Sequence, residues 1–279
     1  MRRPIRLNRN LLRKLWPRLQ RGCPDPRGLL DPGISDGEAN EILLRMKIDG
    51  VFKTTWSDRF PETTRQLASG GLPPTAVIVD VGASDGSTSL SVMRSVRFAR
   101  YYVTDRHTEA YACKTWKGTF FCDAHGNPFM FANRLVVIYN ETGEASRAQS
   151  GVVSRLFAGF NMRKCHDVRK VPLMNRALLP KLNADVRLER YNIFEPWPFE
   201  KADLVIAANI LNRDYFADSR IAEALRNLRA ALKEAGRLAV IENRPAEQSN
   251  LFRLEHGRFI EENQVGAGSD VKALVTGLA

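Results

Sequence analysis

The sequence predicts an α/β protein with a doubly wound, mostly parallel sheet that ends in an antiparallel piece. Three observations predict it. Residues 76–105 read as strand, helix, strand, which is one βαβ unit. Residues 186–242 repeat the pattern, with two apolar strands, a helix and a further strand. The remaining C-terminal residues offer short strand candidates around a tight turn at His256-Gly257.

The chain opens on a basic arm. Residues 1–22 hold Arg2, Arg3, Arg6, Arg9, Arg13, Lys14, Arg18 and Arg21 and no acid, so eight of the eleven net positive charges sit there and the rest of the chain carries +3. The overall basicity therefore does not point to a nucleic-acid-binding face, and nucleic acid is not an expected partner. Leu7, Leu11, Leu12, Leu15, Trp16 and Leu19 fall at helical spacings in the arm, interrupted by Pro17. Such a segment can lie on an anionic membrane surface, and a tail with no specific role is the alternative. No apolar run reaches the roughly 18 residues of a membrane span, and the start lacks the apolar core of a secretory signal. The expected location is cytoplasmic, with peripheral membrane contact through residues 1–22.

A Pro/Gly linker spans residues 22–34. A helix is expected from Ser35, where Ser35 and Glu38 have capping-box spacing and Ala39, Ile42, Leu43 and Met46 give an apolar stripe. A second helix is expected from about Ser57 to Ala68, before Gly70-Gly71. Ala76–Val81 is a β-branched strand, Ser87–Val96 a helix and Arg100–Asp105 a strand. Further on, Val186–Tyr191 and Ala202–Ala207 read as strands, and Ile221, Leu225, Leu228 and Leu232 mark a helix. Gly236 stands where a helix C-terminal glycine belongs, and Arg237–Glu242 is the next strand. Asn250–Glu255, Arg258–Glu262 and Asp270–Val275 are the last strand candidates.

About 80 residues separate Asp105 from Val186, where one helix would suffice. Thr119–Asp123 and Pro128–Phe131 flank Ala124–Asn127 as a hairpin, Leu135–Tyr139 is a third strand and Gly151–Phe160 a helix. Three segments follow: a basic arm and linker (1–34), an N-terminal helical cap (35–75) and a core (76–279) with an α+β insertion at about 106–185. Helical cap and insertion together are read as the part that selects a substrate. Trp116, Phe120, Phe121, Phe129 and Phe131 either line an apolar pocket there or form the insertion's own core. The four cysteines, Cys23, Cys113, Cys122 and Cys165, match no zinc spacing and read as free thiols, and no metal is expected. Cys122, His125, Cys165 and His166 could in principle assemble a zinc site in the insertion.

The chemistry concentrates in Asp80, Gly82, Ala83, Ser84, Asp85 and Gly86, between the first strand and the first core helix. Glycines there let the backbone turn tightly and let a ligand approach without a Cβ in the way. The helix start supplies free N–H groups. Asp105 ends the next strand, where a carboxylate can accept the hydroxyl protons of a ribose. A dinucleotide needs a pyrophosphate cradle, but Ser84 replaces the second glycine and Asp85 would repel phosphate. S-adenosylmethionine has no phosphate and carries a sulfonium and an ammonium, which acidic Asp80 and Asp85 suit.

With Val77–Gly86, Asp105, Asn192–Glu195 and Ala202–Asn209 in place, the sequence resembles the class I S-adenosylmethionine-dependent methyltransferase superfamily. The resemblance covers roughly residues 76–105 and 186–275. It implies a Rossmann-like sheet of about seven strands with an antiparallel last strand, and an adenine-side loop at Asn192 and Ile193. Asn192 stands where many members have Asp, and an amide oxygen can still accept a hydrogen bond. The insertion matches no particular subfamily.

The resulting expectation is a methyltransferase with S-adenosyl-L-methionine as cofactor and a small-molecule, lipid-headgroup or sugar-like acceptor. The enzyme aligns acceptor, methyl carbon and sulfur, and needs a base only if the acceptor must lose a proton. Asn209, at the end of the fourth core strand, is the expected polar contact near the methyl group. Tyr215 is a further catalytic candidate, with Asn212 and Asp214 on the substrate side or serving as helix caps. His107 reads as a base near the cofactor or as a surface histidine. The rival reading is a catalytically silent relative held at a membrane surface by the arm.

Overall fold

A computed structural model describes residues 5–7, 24–53, 58–140, 151–243 and 246–278. The chain divides into two compact units, one of Met1–Thr54 and Glu109–Arg176, the other of Thr55–Thr108 and Ala177–Ala279. Residues 35–75 therefore part between the units after residue 54, and the expected helix start at Ser57 lies outside the described residues.

The second unit holds a seven-stranded sheet. Its spatial order is Val186–Arg190, Arg100–Asp105, Val77–Val81, Ala202–Ala208, Leu232–Asn243, Glu247–Glu255 and Arg258–Val265. The first five strands are parallel and the last two join antiparallel, as expected for a Rossmann-like sheet with an antiparallel end. The reversed strand is Glu247–Glu255, and Arg258–Val265, paired antiparallel to it, again runs with the first five. Val77–Val81 lies centrally, and every residue in it is buried, which is why its apolar run shows no alternation. It pairs with Arg100–Asp105 on one side and Ala202–Ala208 on the other, so the chain leaves this strand in one direction and later returns on the opposite side. That is the topological switch point at which open α/β sheets bind ligands.

The helix Asp218–Ala231 packs Ile221, Ala224, Leu225, Leu228 and Ala231 into the core, a 3.6-residue stripe. Leu232 is not its last turn but opens the next strand. Gly236 sits inside that strand, not after a helix; a Cβ there would come within 2.8 Å of the Lys233 carbonyl oxygen and 3.0 Å of that of Ala202. Residues near Asp270–Val275 are also not a strand. Lys272–Thr276 is a short helix, because Val271 and Val275, four apart and fully buried, meet the core on one helical face.

The helix Pro61–Ser69 begins where Pro61 takes the first helical position, after Phe60 in a non-helical conformation. Its free N–H groups meet a carboxylate from the sheet: Glu62 N and Thr63 N donate to Glu247 at 3.0 and 2.6 Å. The Thr63 and Ser249 hydroxyls share a further bond of 2.7 Å.

The first unit is built on a six-stranded sheet in the order Ile5–Leu7, Val136–Tyr139, Pro128–Ala132, Gly118–Cys122, Glu109–Thr115 and Asp167–Pro172. Only the pair between Ile5–Leu7 and Val136–Tyr139 is parallel. The expected hairpin is present, and the Asp123 carboxylate closes its turn by accepting from His125 N and Asn127 N, both at 2.8 Å. One face packs Ala110, Ala112, Phe121 and Met130 against Leu43 and Met46; the other packs Cys113, Phe120, Cys122 and Phe131 against Val153 and Phe157. The helix Asp36–Leu43 has the expected capping box between Ser35 and Glu38. The aromatic residues of the insertion thus form its own core, except Trp116, which is exposed. Cys113 and Cys122 are buried and free, and Cys165 is half-buried; Cys23 lies outside the described residues. Among the described residues no three of His, Cys, Asp and Glu come together as a metal site.

Apart from Ile5–Leu7, the basic arm lies outside the described residues. Among the described residues no helix is long and apolar enough to cross a membrane.

The start of helix Pro61–Ser69 is tied to the sheet by one carboxylate, beside the Thr63–Ser249 bond. Glu247→Ala is expected to lower unfolding stability by about 1–3 kcal/mol through two lost charge-assisted bonds at a helix start. Urea unfolding of the two proteins checks this, and equal midpoints would assign the helix to apolar packing alone.

Candidate functional site

The site is built on the bend that follows Val77–Val81. Gly82, Ser84 and Gly86 all have positive φ, at 65°, 59° and 81°. Glycine takes that region at little cost, but Ser84 is a strained position of the kind found at functional turns. Four contacts hold the bend. Ala83 N donates to the Thr104 carbonyl at 2.8 Å, and Gly86 N to the Ala83 carbonyl at 2.9 Å. Ser84 N donates to Asp105 Oδ2 at 2.9 Å. Ser87 N, at the start of helix Ser87–Ser95, donates to Asp85 Oδ1 at 2.8 Å.

Asp105 therefore ends its strand as a clamp. Its second oxygen accepts from His107 N at 2.8 Å, so one carboxylate fixes the turns on both sides of it. Half-buried His107 owes its place to that backbone bond.

The sequence sets the Asp85 carboxylate towards positive charge, directly or through water. Instead its buried carboxylate turns back onto the helix start, because Gly86 at the cap position has no side chain to do so. Gly82 was read as space for a ligand. A Cβ there would lie 2.2 Å from Ile210 Cδ1, so the face of Gly82 is covered by the residue that follows Asn209. At Gly86 a Cβ would meet Leu178 Cδ2 at 2.5 Å.

Asp80 is fully buried beneath the bend. Ser89 Oγ donates to its Oδ2 at 2.6 Å, while Oδ1 has no hydrogen-bond partner. Burial, helped by the charge of Asp105, pushes its carboxyl from 3.8 up to about 7, against the hydrogen bond from Ser89 and the nearby Tyr101 hydroxyl. Near neutral pH this group stands at the balance between acid and carboxylate.

Asn209 lies at the end of Ala202–Ala208 with φ 55°. Its N–H donates to the Ile241 carbonyl at 2.8 Å, and its Oδ1 accepts from Asn243 N at 3.1 Å. Its Nδ2 is buried with no hydrogen-bond partner. Asn212 is buried and closes the following turn, accepting from Asp214 N at 2.7 Å, so it serves as a turn residue. Tyr215 is 53% exposed, which removes a core-packing role.

On the other side of the switch point, Asn192 Oδ1 accepts from Phe194 N at 3.3 Å and its Nδ2 donates to Glu195 at 3.0 Å. Ile193 is buried in the main core, and its carbonyl accepts from Asn227 Nδ2 at 3.0 Å. The sequence reading missed Ser89, Thr104 and Ile210, which brace the bend from elsewhere. It also missed Arg59, whose guanidinium is held below its usual range by burial and lies within electrostatic reach of Tyr215. Asp58 sits beside it, exchanging bonds of 3.1 and 2.9 Å with Ser91 on the helix after the bend.

No protein-family model and no curated protein matches the chain. Solved structures share part of its fold. They include a methyltransferase of calicheamicin biosynthesis (17% identity, TM-score 0.34, over 65% of this chain and 34% of that one) and the mitomycin 7-O-methyltransferase (18%, 0.33, 66% and 38%). An O-methyltransferase of neocarzinostatin biosynthesis, solved with S-adenosyl-L-homocysteine and 1,4-dihydroxy-2-naphthoic acid, matches at 12% and 0.34, over 65% and 35%. The chain spans 34–38% of the length of these three proteins.

Two substitutions test the geometry of the bend. Gly82→Ala should cost about 1–3 kcal/mol, from its positive φ and its collision with Ile210. Adding Ile210→Ala should recover the collision part only, and additive losses in the double variant would show that the two residues do not touch. The buried carboxyl gives a pH signature. Its folded value lies above the unfolded one, so the stability it contributes is full below about pH 4 and is lost as pH rises through about 7. A gap of about 3 pH units corresponds to about 4 kcal/mol. Asp80→Asn should flatten the fall in stability between pH 4 and 7; chemical unfolding at several pH values reads it, and an unchanged slope would place the titration elsewhere.

Proposed function

We propose that the second unit binds S-adenosyl-L-methionine and transfers its methyl group to a small-molecule, lipid-headgroup or sugar-like acceptor. The observation that carries this reading is the strained bend at Gly82–Gly86, clamped by Asp105 over a buried Asp80. Asp105 accepts backbone N–H groups on both oxygens, and since a carboxylate oxygen can accept more than one hydrogen bond, in this reading it also accepts a ribose hydroxyl. The partnerless Oδ1 of Asp80 fits a group that brings positive charge or hydrogen-bond donors. The chemistry is thus that of a cationic nucleoside and not of a pyrophosphate.

In this reading Ala83 and Ser84 line the bend, and Gly82 and Gly86 allow its shape. Asp85 acts indirectly by holding the helix start. Asn192 offers its amide oxygen to an adenine amino group, and Ile193 fixes that loop through the core. In this reading the partnerless Nδ2 of Asn209 meets the reacting end of the cofactor. When bound, the cofactor supplies an activated methyl group on a sulfonium. The protein supplies alignment, since displacement needs the acceptor atom in line with carbon and sulfur. In this reading Tyr215, exposed and within electrostatic reach of Arg59, meets the acceptor.

Calorimetry tests the reading. Asp105→Ala should weaken S-adenosylmethionine binding by about 1–3 kcal/mol, with Asp105→Asn between it and the wild type. Wild-type affinity in both folded variants would remove Asp105 from the site. Because the cation favours ionised Asp80, its affinity should rise with pH through about 7 and binding should release a proton. The uncharged thioether product should show less of both. Identical pH profiles for the two would separate Asp80 from the sulfonium.

A further inference from the structure

One end of the six-stranded sheet of the first unit gathers an unusual set of side chains. Glu109–Thr115 and Pro128–Ala132 run towards this end, and Gly118–Cys122, Val136–Tyr139 and Asp167–Pro172 run away from it. Two turns therefore stand side by side here, Thr115–Gly118 and Asn133–Val136. Both are firmly held. Thr115 Oγ1 donates to the Gly118 carbonyl at 2.8 Å, and Asn133 Oδ1 accepts from Leu135 N and Val136 N at 2.8 and 3.0 Å. The turns also touch: a Cβ on Gly118 would lie 2.6 Å from the Ala132 carbonyl oxygen and 2.9 Å from Asn133 Cβ.

These turns present Trp116 at 90% exposure and Leu135 at 71%, the two most exposed large apolar side chains among the described residues. Scattered exposed apolar residues are ordinary. A pair carried on adjoining, hydrogen-bonded turns and ringed by cations is not. Lys117 lies over the Trp116 ring, its Nζ 5.0 Å from the centroid, and Lys114 and Arg134 are exposed beside the pair. Arg163 and Lys164, also exposed, precede Asp167, which is opposite Lys114. Neither turn holds an acid, and Asp167 is ion-paired with Arg169.

We propose that this end of the sheet is a membrane-contact tip. Trp116 and Leu135 enter the interfacial layer of an anionic bilayer, and Lys114, Lys117 and Arg134 meet its phosphate headgroups. Tryptophan suits that layer because its ring is apolar and its N–H polar, and lysine stems reach along apolar surface to a charged plane. Two side chains on turn tips are far smaller than the roughly 800 Å² per partner of a stable protein interface. Nucleic acid would engage the cations but leave Leu135 in water. The basic arm shares this sheet, since Ile5–Leu7 pairs parallel with Val136–Tyr139 and Ile5 lies opposite Val136 at this end.

The test uses the full chain with vesicles of phosphatidylcholine and of phosphatidylcholine mixed with phosphatidylglycerol. The protein should sediment with the mixed vesicles and not with the neutral ones. Trp116→Ala with Leu135→Ser should lower the partition coefficient about tenfold or more, and Lys117→Glu with Arg134→Glu should do the same and remove the preference for anionic lipid. Brominated acyl chains should quench the wild-type tryptophan emission, and Trp116→Phe should lose most of that quenching while still binding, a readout that survives if a double variant fails to fold. The proposal is overturned if the wild type ignores anionic vesicles or if folded double variants partition like the wild type. It is equally overturned if Trp116→Phe is quenched as before, or if the substitutions weaken binding to polynucleotide and not to vesicles.

Discussion

The site depends on one carboxylate. Asp105 accepts from Ser84 on one side and His107 on the other, so a single charge at a strand end fixes two turns. Ser84 would not hold a left-handed conformation unaided, since such strain costs on the order of 1–3 kcal/mol. A hydrogen bond to a charged acceptor contributes about 1.5–3 kcal/mol, enough to offset it. The bond from Ala83 to Thr104 and the cap from Asp85 then leave the bend little freedom. A surface arranged in this way needs no rearrangement when a ligand arrives, and that saves the ordering cost of binding.

Asp80 shows the opposite economy. Burying a carboxyl with one oxygen lacking a partner is unfavourable, and the fold meets the cost by pushing its proton affinity up to about 7. Nothing in the sheet requires an acid there, because the neighbours in the strand are Val79 and Val81 and both pack in the core. Such departures from ordinary core composition concentrate at functional positions. A second lies across the switch point, where Asn209 combines positive φ with a buried, unpaired amide nitrogen. Acceptor and donor stand on neighbouring parallel strands near the same end of the sheet.

Much of this was legible in the sequence because its signals are local. The apolar run at Val77–Val81, the glycines after it, the acid closing Arg100–Asp105, the capping box at Ser35 and the hairpin at 118–132 each announce themselves within a few residues. The unread parts depend on distant partners. Glu109–Thr115 packs Ala110 and Ala112 on one face and Cys113 on the other, so the alternation that marks a half-buried strand is missing. Val271 and Val275 signal a helix only once the core they meet is known. Asp85 reads as a free charge until Gly86 proves unable to cap the helix. Ile210 covers Gly82 from over a hundred residues away, a contact no local pattern records.

The reversed strand carries the remaining organisation. Because Glu247–Glu255 runs against its neighbour, it begins where the parallel strands finish, with Glu247 opposite Asn243. Asn243 in turn bonds Asn209, so Glu247 stands at the site end of the sheet. There it receives the N-terminus of helix Pro61–Ser69, and the residues just before that helix are brought to the same end. Asp58 then locks onto Ser91, in the helix that starts from the bend, and Arg59 comes within reach of Tyr215. A sixth strand parallel to the others would begin at the far end of the sheet and would offer the helix no carboxylate here. The direction of this strand therefore decides whether the half-buried Arg59 reaches this end of the sheet at all.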